Sequence, residues 1–274
     1  MSVDLDAYFD RIRYAGPRQP TLATLSGIVE AHIRSIPFEN LDVLLRRPIR
    51  LDMPSVMRKL VHERRGGYCF EQNGLLLDVL ETLGFRVAPL SARVRWMRPR
   101  DFTPARTHLF VRVELQGEAW LADVGVGGMS PTAPLRLDVT HEQPTPHEPR
   151  RIVHEDGRWF HQAKLGQEWH DVLEFTREQM PPIDREVANW YTSTHPQSHF
   201  RDVLMVARAG AHGARHTLLN HDLTMRRADG SAERHRVGTP QELLRVLDEV
   251  FELRLPAGTR LECAGLSWDD PPGA

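Results

Sequence analysis

Apolar residues change their spacing near residue 84, and this change restricts the fold more than any other feature of the sequence. Before it, they recur every three or four residues, which is typical of helices with one buried face. From Phe85 onward they alternate with polar residues, which is typical of strands. The helical runs are 22–33 and 75–83, and the alternating runs are 87–96, 107–115 and 119–124. This order predicts an α+β fold.

The same patterns divide the chain into four segments. Residues 1–84 are expected to be helical and 85–185 to carry strands. Residues 186–205 are expected to be a linking segment, and 206–274 to combine strands with a helix that begins near Thr239. Within the second segment, strands are also predicted at 150–160 and 169–175. The Pro- and His-rich stretch at 140–149 predicts a surface loop.

Charge and composition exclude several classes of protein. The formal net charge is −2, so there is no basic field to hold nucleic acid. The only lysines, Lys59 and Lys164, lie in neither a Schiff-base site nor a phosphate-loop motif. His-Glu-x-x-His and Cys-x-x-Cys motifs are absent from the sequence, so no metal site is predicted.

Location and redox state are also bounded by the sequence. No apolar run approaches the length of about 18 residues that spans a membrane, and the first ten residues are acidic where a leader would be basic. We therefore expect a cytoplasmic protein that makes no membrane contact. Cys69 and Cys263 are the two cysteines, and we expect at least one to be a free thiol.

Cys69 stands in the most informative stretch of the chain. Gly66 and Gly67 allow a close backbone approach, and the helix that follows places Cys69 in its first turn. Unpaired N–H groups and the helix dipole favour an anion there, and Arg64 and Arg65 add positive charge. The alternative is a small buried apolar residue, which is the commoner fate of a single cysteine.

A partner for the thiol is predicted from a hairpin. If Gln116 and Gly117 form a two-residue turn, His108 and Asp123 are diagonal neighbours on one face, roughly 7–8 Å apart at Cα. A four-residue loop would place them directly opposite, whereas a three-residue loop would separate them onto opposite faces. Asp123 could instead be an ordinary turn residue before Gly125.

Together these residues predict a Cys–His–Asp system. The thiolate and the imidazolium would pair, and the carboxylate would fix the ring tautomer. Such a system carries out acyl transfer through a thioester, and backbone N–H groups near the start of the Cys69 helix are the natural oxyanion donors.

The motifs that carry these residues resemble the arylamine N-acetyltransferases. A further stretch extends the resemblance to about residue 205. The matching runs are Ile-Pro-Phe-Glu-Asn-Leu at 36–41, Arg-Gly-Gly-Tyr-Cys-Phe-Glu-Gln-Asn at 65–73, Thr-His at 107–108, Ala-Asp-Val-Gly at 122–125 and Thr-Ser-Thr-His-Pro-Gln-Ser-His-Phe at 192–200.

The resemblance implies a fold and a reaction. Residues 1–84 would be a helical bundle carrying Cys69, 85–185 a β-barrel carrying His108 and Asp123, and 206–274 an α/β lid, around a core like that of cysteine proteases. Cys69 would take acetyl from the co-substrate acetyl-coenzyme A and pass it to an arylamine, hydrazine or N-hydroxyarylamine. His108 would be the base and Asp123 its orienting group, with no permanently bound cofactor.

Binding residues also follow from the resemblance. It implies that three phenylalanines form apolar walls of the acceptor pocket and that two residues contact the pantetheine arm. The walls are Phe38, Phe70 and Phe200, and the pantetheine contacts are Thr107 and Gly127. Val126 departs from many bacterial members, which carry an aromatic residue there, so a wider pocket is expected.

Three other functions are compatible with the same residues. One is an amide synthase that closes a macrocyclic polyketide, and another is a thiol enzyme of the papain or transglutaminase type, which uses the same order of Cys and His. The third is a binding module without catalytic activity. The presence of a thiol, a base and an orienting carboxylate together argues against this function. The sequence predicts no oligomeric state.

Overall fold

The computed structural model describes residues 3–268, which contain seven α-helices. A π-helix continues α4, and a short 3₁₀ helix follows α6. The α-helices are α1 Leu5–Ile12, α2 Leu22–Ser35, α3 Leu41–Leu44, α4 Met53–Val56, α5 Cys69–Thr82, α6 Pro182–Thr194 and α7 Pro240–Phe251, with the π-helix at Met57–His62 and the 3₁₀ helix at His199–Arg201.

All the helices before residue 84 except α3 pack on one apolar core, and α3 packs on the core of the C-terminal sheet. The N-cap residue Thr21 accepts a hydrogen bond from the backbone of Thr24, which starts α2 at the predicted place. The predicted apolar stripe of α2 is buried from Leu25 onward in a core shared with α1 and α5, whereas Leu22, at its start, is exposed. The helices predicted at 22–33 and 75–83 are therefore confirmed.

The described residues form twelve strands in two antiparallel sheets. The seven-stranded sheet has the order β5-β4-β3-β2-β8-β7-β6, and because its end strands touch, it is a nearly closed barrel. The strands are β1 Phe38–Glu39, β2 Arg86–Val94, β3 His108–Leu115, β4 Glu118–Ala122, β5 Leu135–Arg136, β6 Arg150–Glu155, β7 Arg158–Leu165, β8 Glu168–Gln179, β9 Met205–Ala209, β10 Arg215–Leu219, β11 Asp222–Arg226 and β12 Ala232–Arg236.

The strand predicted at 150–160 is wrong as a single element. Asp156 and Gly157 both have positive φ angles, so the chain reverses there and the stretch becomes the hairpin of β6 and β7. The predicted loop at 140–149 is exposed or half-buried as far as Pro146. It turns inward at its end, where Glu148 is nearly buried.

The second sheet has the order β1-β9-β10-β11-β12 and packs against α7. Its edge strand, Phe38–Glu39, comes from the helical part of the chain and pairs with Ala207 and Val206 of β9. The beginning of the chain thus contributes directly to the C-terminal sheet.

The molecule is an α+β protein, as predicted. The proposed division at residues 84, 185 and 205 stays a prediction. Cys69 and Cys263 are both free thiols. No helix within residues 3–268 is long and apolar enough to cross a membrane.

Candidate functional site

Cys69 is the first residue of α5, as the sequence predicts. A Cβ atom on Gly66 would lie 2.2 Å from the carbonyl oxygen of Pro37, so only glycine allows this loop to approach β1. The Cys69 side chain is buried, and its Sγ lies 3.6 Å from the carbonyl oxygen of Thr107. As first-turn groups, the backbone N–H groups of Cys69 and Phe70 have no acceptor within the helix.

The hairpin of β3 and β4 has the predicted two-residue turn. Leu115 pairs with Glu118 across Gln116 and Gly117, and this register brings His108 to Asp123. Nε2 of His108 donates to Oδ2 of Asp123 at 2.7 Å, and both side chains are buried. The prediction that an imidazole and a carboxylate meet here is confirmed.

The surroundings of His108 decide its charge. Burial lowers the pKa of His108, but the charge of Asp123, with hydrogen bonds to Asp123 and Cys69, outweighs burial and raises it to about 10. The ring is therefore protonated on both nitrogens and positively charged at neutral pH. Nε2 faces Asp123, so Nδ1 is the nitrogen left for the Cys69 side.

Asn73 holds this arrangement together and was missed from the sequence. Its Nδ2 donates to Oδ1 of Asp123 at 2.8 Å and to the carbonyl oxygen of Leu109 at 2.6 Å. Its Oδ1 accepts from the backbone of Val124 at 2.9 Å. One signal was available, because Asn73 lies four residues after Cys69 and so shares its face of the helix.

Gly125 closes the site from the side of the barrel. A Cβ atom on this residue would lie 2.7 Å from Cα of Cys69, so any side chain would push the two elements apart. The backbone N–H of Gly125 donates to Oδ1 of Asp123 at 2.9 Å, which fixes the carboxylate from a second direction.

The three predicted phenylalanines lie together beside Cys69. Phe38 and Phe200 have ring centroids 6.4 Å apart, and Tyr68 lies 5.7 Å from both Phe70 and Phe200. Tyr68 was not predicted; its hydroxyl donates to Asn189 of α6. These four rings form an apolar wall on the Cys69 side.

The loop residues are placed on different sides. Gly127 has a positive φ and lies against the ring of Phe38, so it borders the aromatic wall. Val126 packs against the apolar interior of the barrel, and its backbone N–H donates to Oγ of Ser130 at 3.0 Å. The structure therefore brings Gly127, but not the side chain of Val126, to the phenylalanines.

A buried ionic cluster, here called the helix-cap cluster, lies under the start of α5. It consists of Glu39, Asp42, Lys59, Arg65 and Glu71. Lys59 Nζ lies 2.7 Å from both Asp42 and Glu71, and Arg65 lies 2.7 Å from Glu39. Glu71 also accepts from the backbone N–H of Tyr68 at 3.1 Å, which fixes the residue before Cys69. Burial raises the pKa of Glu71, although Lys59 acts in the opposite direction.

Two further features are set apart from these residues. A groove of about 550 Å³ is lined by α1, α2 and β9 and contains none of the predicted site residues. Its arginines, Arg13, Arg34 and Arg208, each lie beside a glutamate. Within residues 3–268, no three His, Cys, Asp or Glu side chains are grouped so as to hold a metal ion.

Comparisons with known proteins agree with this architecture. A family model described as N-acetyltransferase matches residues 21–260. An arylamine N-acetyltransferase of Mycobacterium tuberculosis is 43% identical over 259 residues, covering 93% of this chain and 91% of that protein. A Salmonella typhimurium protein named arylamine N-acetyltransferase / N-hydroxyarylamine O-acetyltransferase is 38% identical, with coverage of 92% and 90%.

Solved structures give the same result. The arylamine N-acetyltransferase of Mycobacterium marinum in complex with CoA superposes with a TM-score of 0.87 at 41% identity, covering 91% of this chain and 93% of that one. Because the similarity extends over nearly the whole chain in both sequence and fold, this chain belongs to the arylamine N-acetyltransferase family.

Proposed function

We propose that this enzyme transfers an acetyl group from acetyl-coenzyme A to an arylamine, hydrazine or N-hydroxyarylamine through a thioester on Cys69. The proposal rests on one observation, which is that three side chains from different parts of the fold meet at one point. The thiol at the start of α5 is hydrogen-bonded to His108, and His108 is hydrogen-bonded to Asp123 at 2.7 Å. The names of the relatives and the CoA complex of the M. marinum protein support the donor and the acceptor class.

The first half of the reaction would acetylate Cys69. The thiolate attacks the acetyl carbonyl, the bond to the sulfur of coenzyme A breaks, and the imidazolium of His108 supplies the proton to the departing thiolate. The N–H groups of Gly125 and Val126 already donate to Asp123 and Ser130. The first-turn N–H groups of Cys69 and Phe70 are therefore the donors we propose for the oxyanion.

The second half would release the product. The amine attacks the thioester carbonyl, and neutral His108 takes the proton that the amine loses, which restores the thiolate and imidazolium pair. Asp123 would stabilise the charged ring in both halves. An aromatic amine is unprotonated at neutral pH, so the wall of Phe38, Phe70 and Phe200 could bind it in reactive form.

Thr107 and Gly127 are the proposed contacts to the pantetheine arm of the donor. The carbonyl oxygen of Thr107 is already next to Cys69, and Gly127 borders the aromatic wall. Since Val126 packs into the barrel, we propose that it shapes the acceptor pocket only indirectly.

Intact-mass measurement tests the proposal. After brief mixing with acetyl-coenzyme A and no acceptor, the wild-type protein should gain one acetyl group, which an added aromatic amine should remove. The variant Cys69→Ser should gain none, while the matched control Cys263→Ser, at the other free thiol, should behave as wild type. An unmodified wild-type protein whose Cys69 still reacts with iodoacetamide would contradict acetyl-coenzyme A as donor. It would instead favour another acyl donor, as in the amide synthases.

A further inference from the structure

Glu148 binds three arginines, and these four residues are here called the Glu148 cluster. Oε1 of Glu148 accepts from Arg215 at 2.6 Å and from Arg150, and Oε2 accepts from Arg215 at 3.0 Å and from Arg226 at 3.1 Å. Arg150 begins β6 of the barrel, whereas Arg215 and Arg226 belong to β10 and β11 of the other sheet. One carboxylate therefore ties the two sheets together.

The cluster is buried and short of negative charge. Arg150 is fully buried and Arg215 nearly so, with exposed side-chain fractions of 0% and 4%. Burial raises the pKa of Glu148, but the three guanidinium groups have the larger, opposite effect, and the net result is a pKa lowered to about 2. Glu148 is thus ionised at any ordinary pH, and without it three cations would face one another in the interior.

The cluster also holds the loop of residues 125–130. Arg215 Nη2, which binds Glu148, donates as well to the carbonyl oxygen of Ser130 at 2.8 Å. Ser130 in turn accepts from the backbone of Val126 through its Oγ, and its own N–H donates to the carbonyl oxygen of Gly127 at 3.0 Å. The loop is therefore fixed internally by Ser130 and externally by Arg215.

Two glycines of this loop touch the candidate site. Gly125 lies against Cys69, and Gly127 lies against Phe38, both too close to accept a side chain without movement. In contrast, His108 and Asp123 are held from the other side by Asn73. Gly125 is itself tied to Asp123 through its N–H, so a displacement would fall on residues 126–130. It would change the side of the site proposed to contact the donor and leave Cys69, His108 and Asp123 in place.

We propose that Glu148 is a positioning residue for the acetyl donor. It acts through Arg215 and Ser130 by holding residues 126–130, and with them Gly127, against Phe38. The inference rests on the proposed function and adds a residue that touches neither the donor nor Cys69. Its consequence is selective, because a large donor needs the loop, whereas a small activated ester needs only the thiol and its partners.

The test compares two donors on two matched variants. Glu148→Gln removes the charge from the cluster, and Glu142→Gln makes the same change six residues earlier, at an exposed pair with Lys164. The second-order rate of Cys69 acetylation is measured with acetyl-coenzyme A and with p-nitrophenyl acetate. In Glu148→Gln we expect the rate with acetyl-coenzyme A to fall about tenfold or more, and the ester rate to be retained. Glu142→Gln should match wild type with both donors.

Several outcomes would overturn the inference. Equal losses with both donors would show a general effect on folding or on the thiol, and no loss with either would show that the loop does not depend on Glu148. If Glu148→Gln does not fold, Arg215→Lys replaces it, since lysine keeps the charge but cannot bind Ser130 and both oxygens of Glu148 together. The same selective loss is then expected, and its absence overturns the inference.

The failure of the proposed function is distinguishable from this result. A wild-type protein that acetyl-coenzyme A does not acetylate rejects the proposed donor, and the inference with it. A wild-type protein that is acetylated, beside a Glu148→Gln variant acetylated equally fast, rejects the role of Glu148 alone.

Discussion

The two buried ionic clusters that support the candidate site have opposite compositions. In the helix-cap cluster, two buried cations face three carboxylates, and the exposed Arg47 approaches only one of these, Asp42. In the Glu148 cluster, three guanidinium groups face one carboxylate. A buried charge is costly when it loses its partner. The stability of each cluster should therefore depend most on the charges that are in the minority. These are the cations in the helix-cap cluster and the carboxylate of Glu148 in the Glu148 cluster.

The difference also separates what the clusters do. The helix-cap cluster fixes the residue before Cys69, through the bond from the backbone of Tyr68 to Glu71. The Glu148 cluster fixes loop 125–130 on the barrel side of Cys69, through Ser130. Cys69 thus lies between two loops whose positions are set by charges that take no part in the proposed chemistry.

The largest expected effect is that of Lys59→Met. This change leaves Asp42 and Glu71 without the ammonium group that lies 2.7 Å from each, in a part of the protein that is largely buried. We expect the free energy of unfolding, measured with urea, to fall by about 3–5 kcal/mol.

Lys164→Met is the matched control for this prediction. Lys164 is the other lysine of the chain and pairs with Glu142 at the surface, so its loss should cost no more than about 1 kcal/mol. Equal losses for the two variants would mean that the helix-cap cluster does not depend on its scarce cation.

A second, somewhat smaller effect is expected in acid. The pKa of Glu148 falls from 4.5 to about 2 on folding, which corresponds to on the order of 3 kcal/mol at neutral pH. Because the folded-state pKa is depressed, this contribution is complete above pH 4.5 and is lost as the pH falls through 2. The difference in unfolding free energy between wild type and Glu148→Gln should therefore shrink over that range.

Glu71→Gln provides the contrast between the clusters. Burial raises the pKa of Glu71, so the folded state takes up a proton at this group before the unfolded state does. By linkage, this group's contribution to stability rises as the pH falls. The free energy of unfolding, measured with urea from pH 7 to pH 2, checks both variants. A difference between Glu148→Gln and wild type that does not change with pH would contradict the lowered pKa of Glu148.

The sequence predicted those parts of the site in which local rules also determine the distant contacts. The two-residue turn at Gln116 and Gly117 sets the pairing of β3 and β4, so simple register arithmetic brings His108 to Asp123. The start of α5 at Cys69 followed from the glycines before it and the apolar stripe after it.

The remaining features depend on contacts that no local pattern encodes. Asn73 has the right spacing from Cys69, but its partner Asp123 is fifty residues away and on another element. Glu148 stands in a Pro- and His-rich stretch that is typical of a surface loop, and it turns inward to meet arginines from three strands. The turn at Asp156 and Gly157 is different, because Asp-Gly is a known hairpin signal that the apolar alternation around it masked.

The smallest expected effect is that of Arg226→Gln, and it is the sharpest check on the comparison. Arg226 is one of three cations around a single carboxylate, and it is the most exposed of them, with 24% of its side chain accessible. Its loss leaves Glu148 bound to Arg150 and Arg215 and removes repulsion from Arg215, which together with burial lowers the pKa of Arg226. We expect the unfolding free energy to change by less than about 1 kcal/mol, as for an exposed pair. The matched control is Arg227→Gln, at the neighbouring residue, whose partner Glu233 is at the surface. If Arg226→Gln were as destabilising as Lys59→Met, losing a charge of the sign in excess would cost as much as losing one of the sign in deficit. Charge balance could then not explain how the two clusters differ.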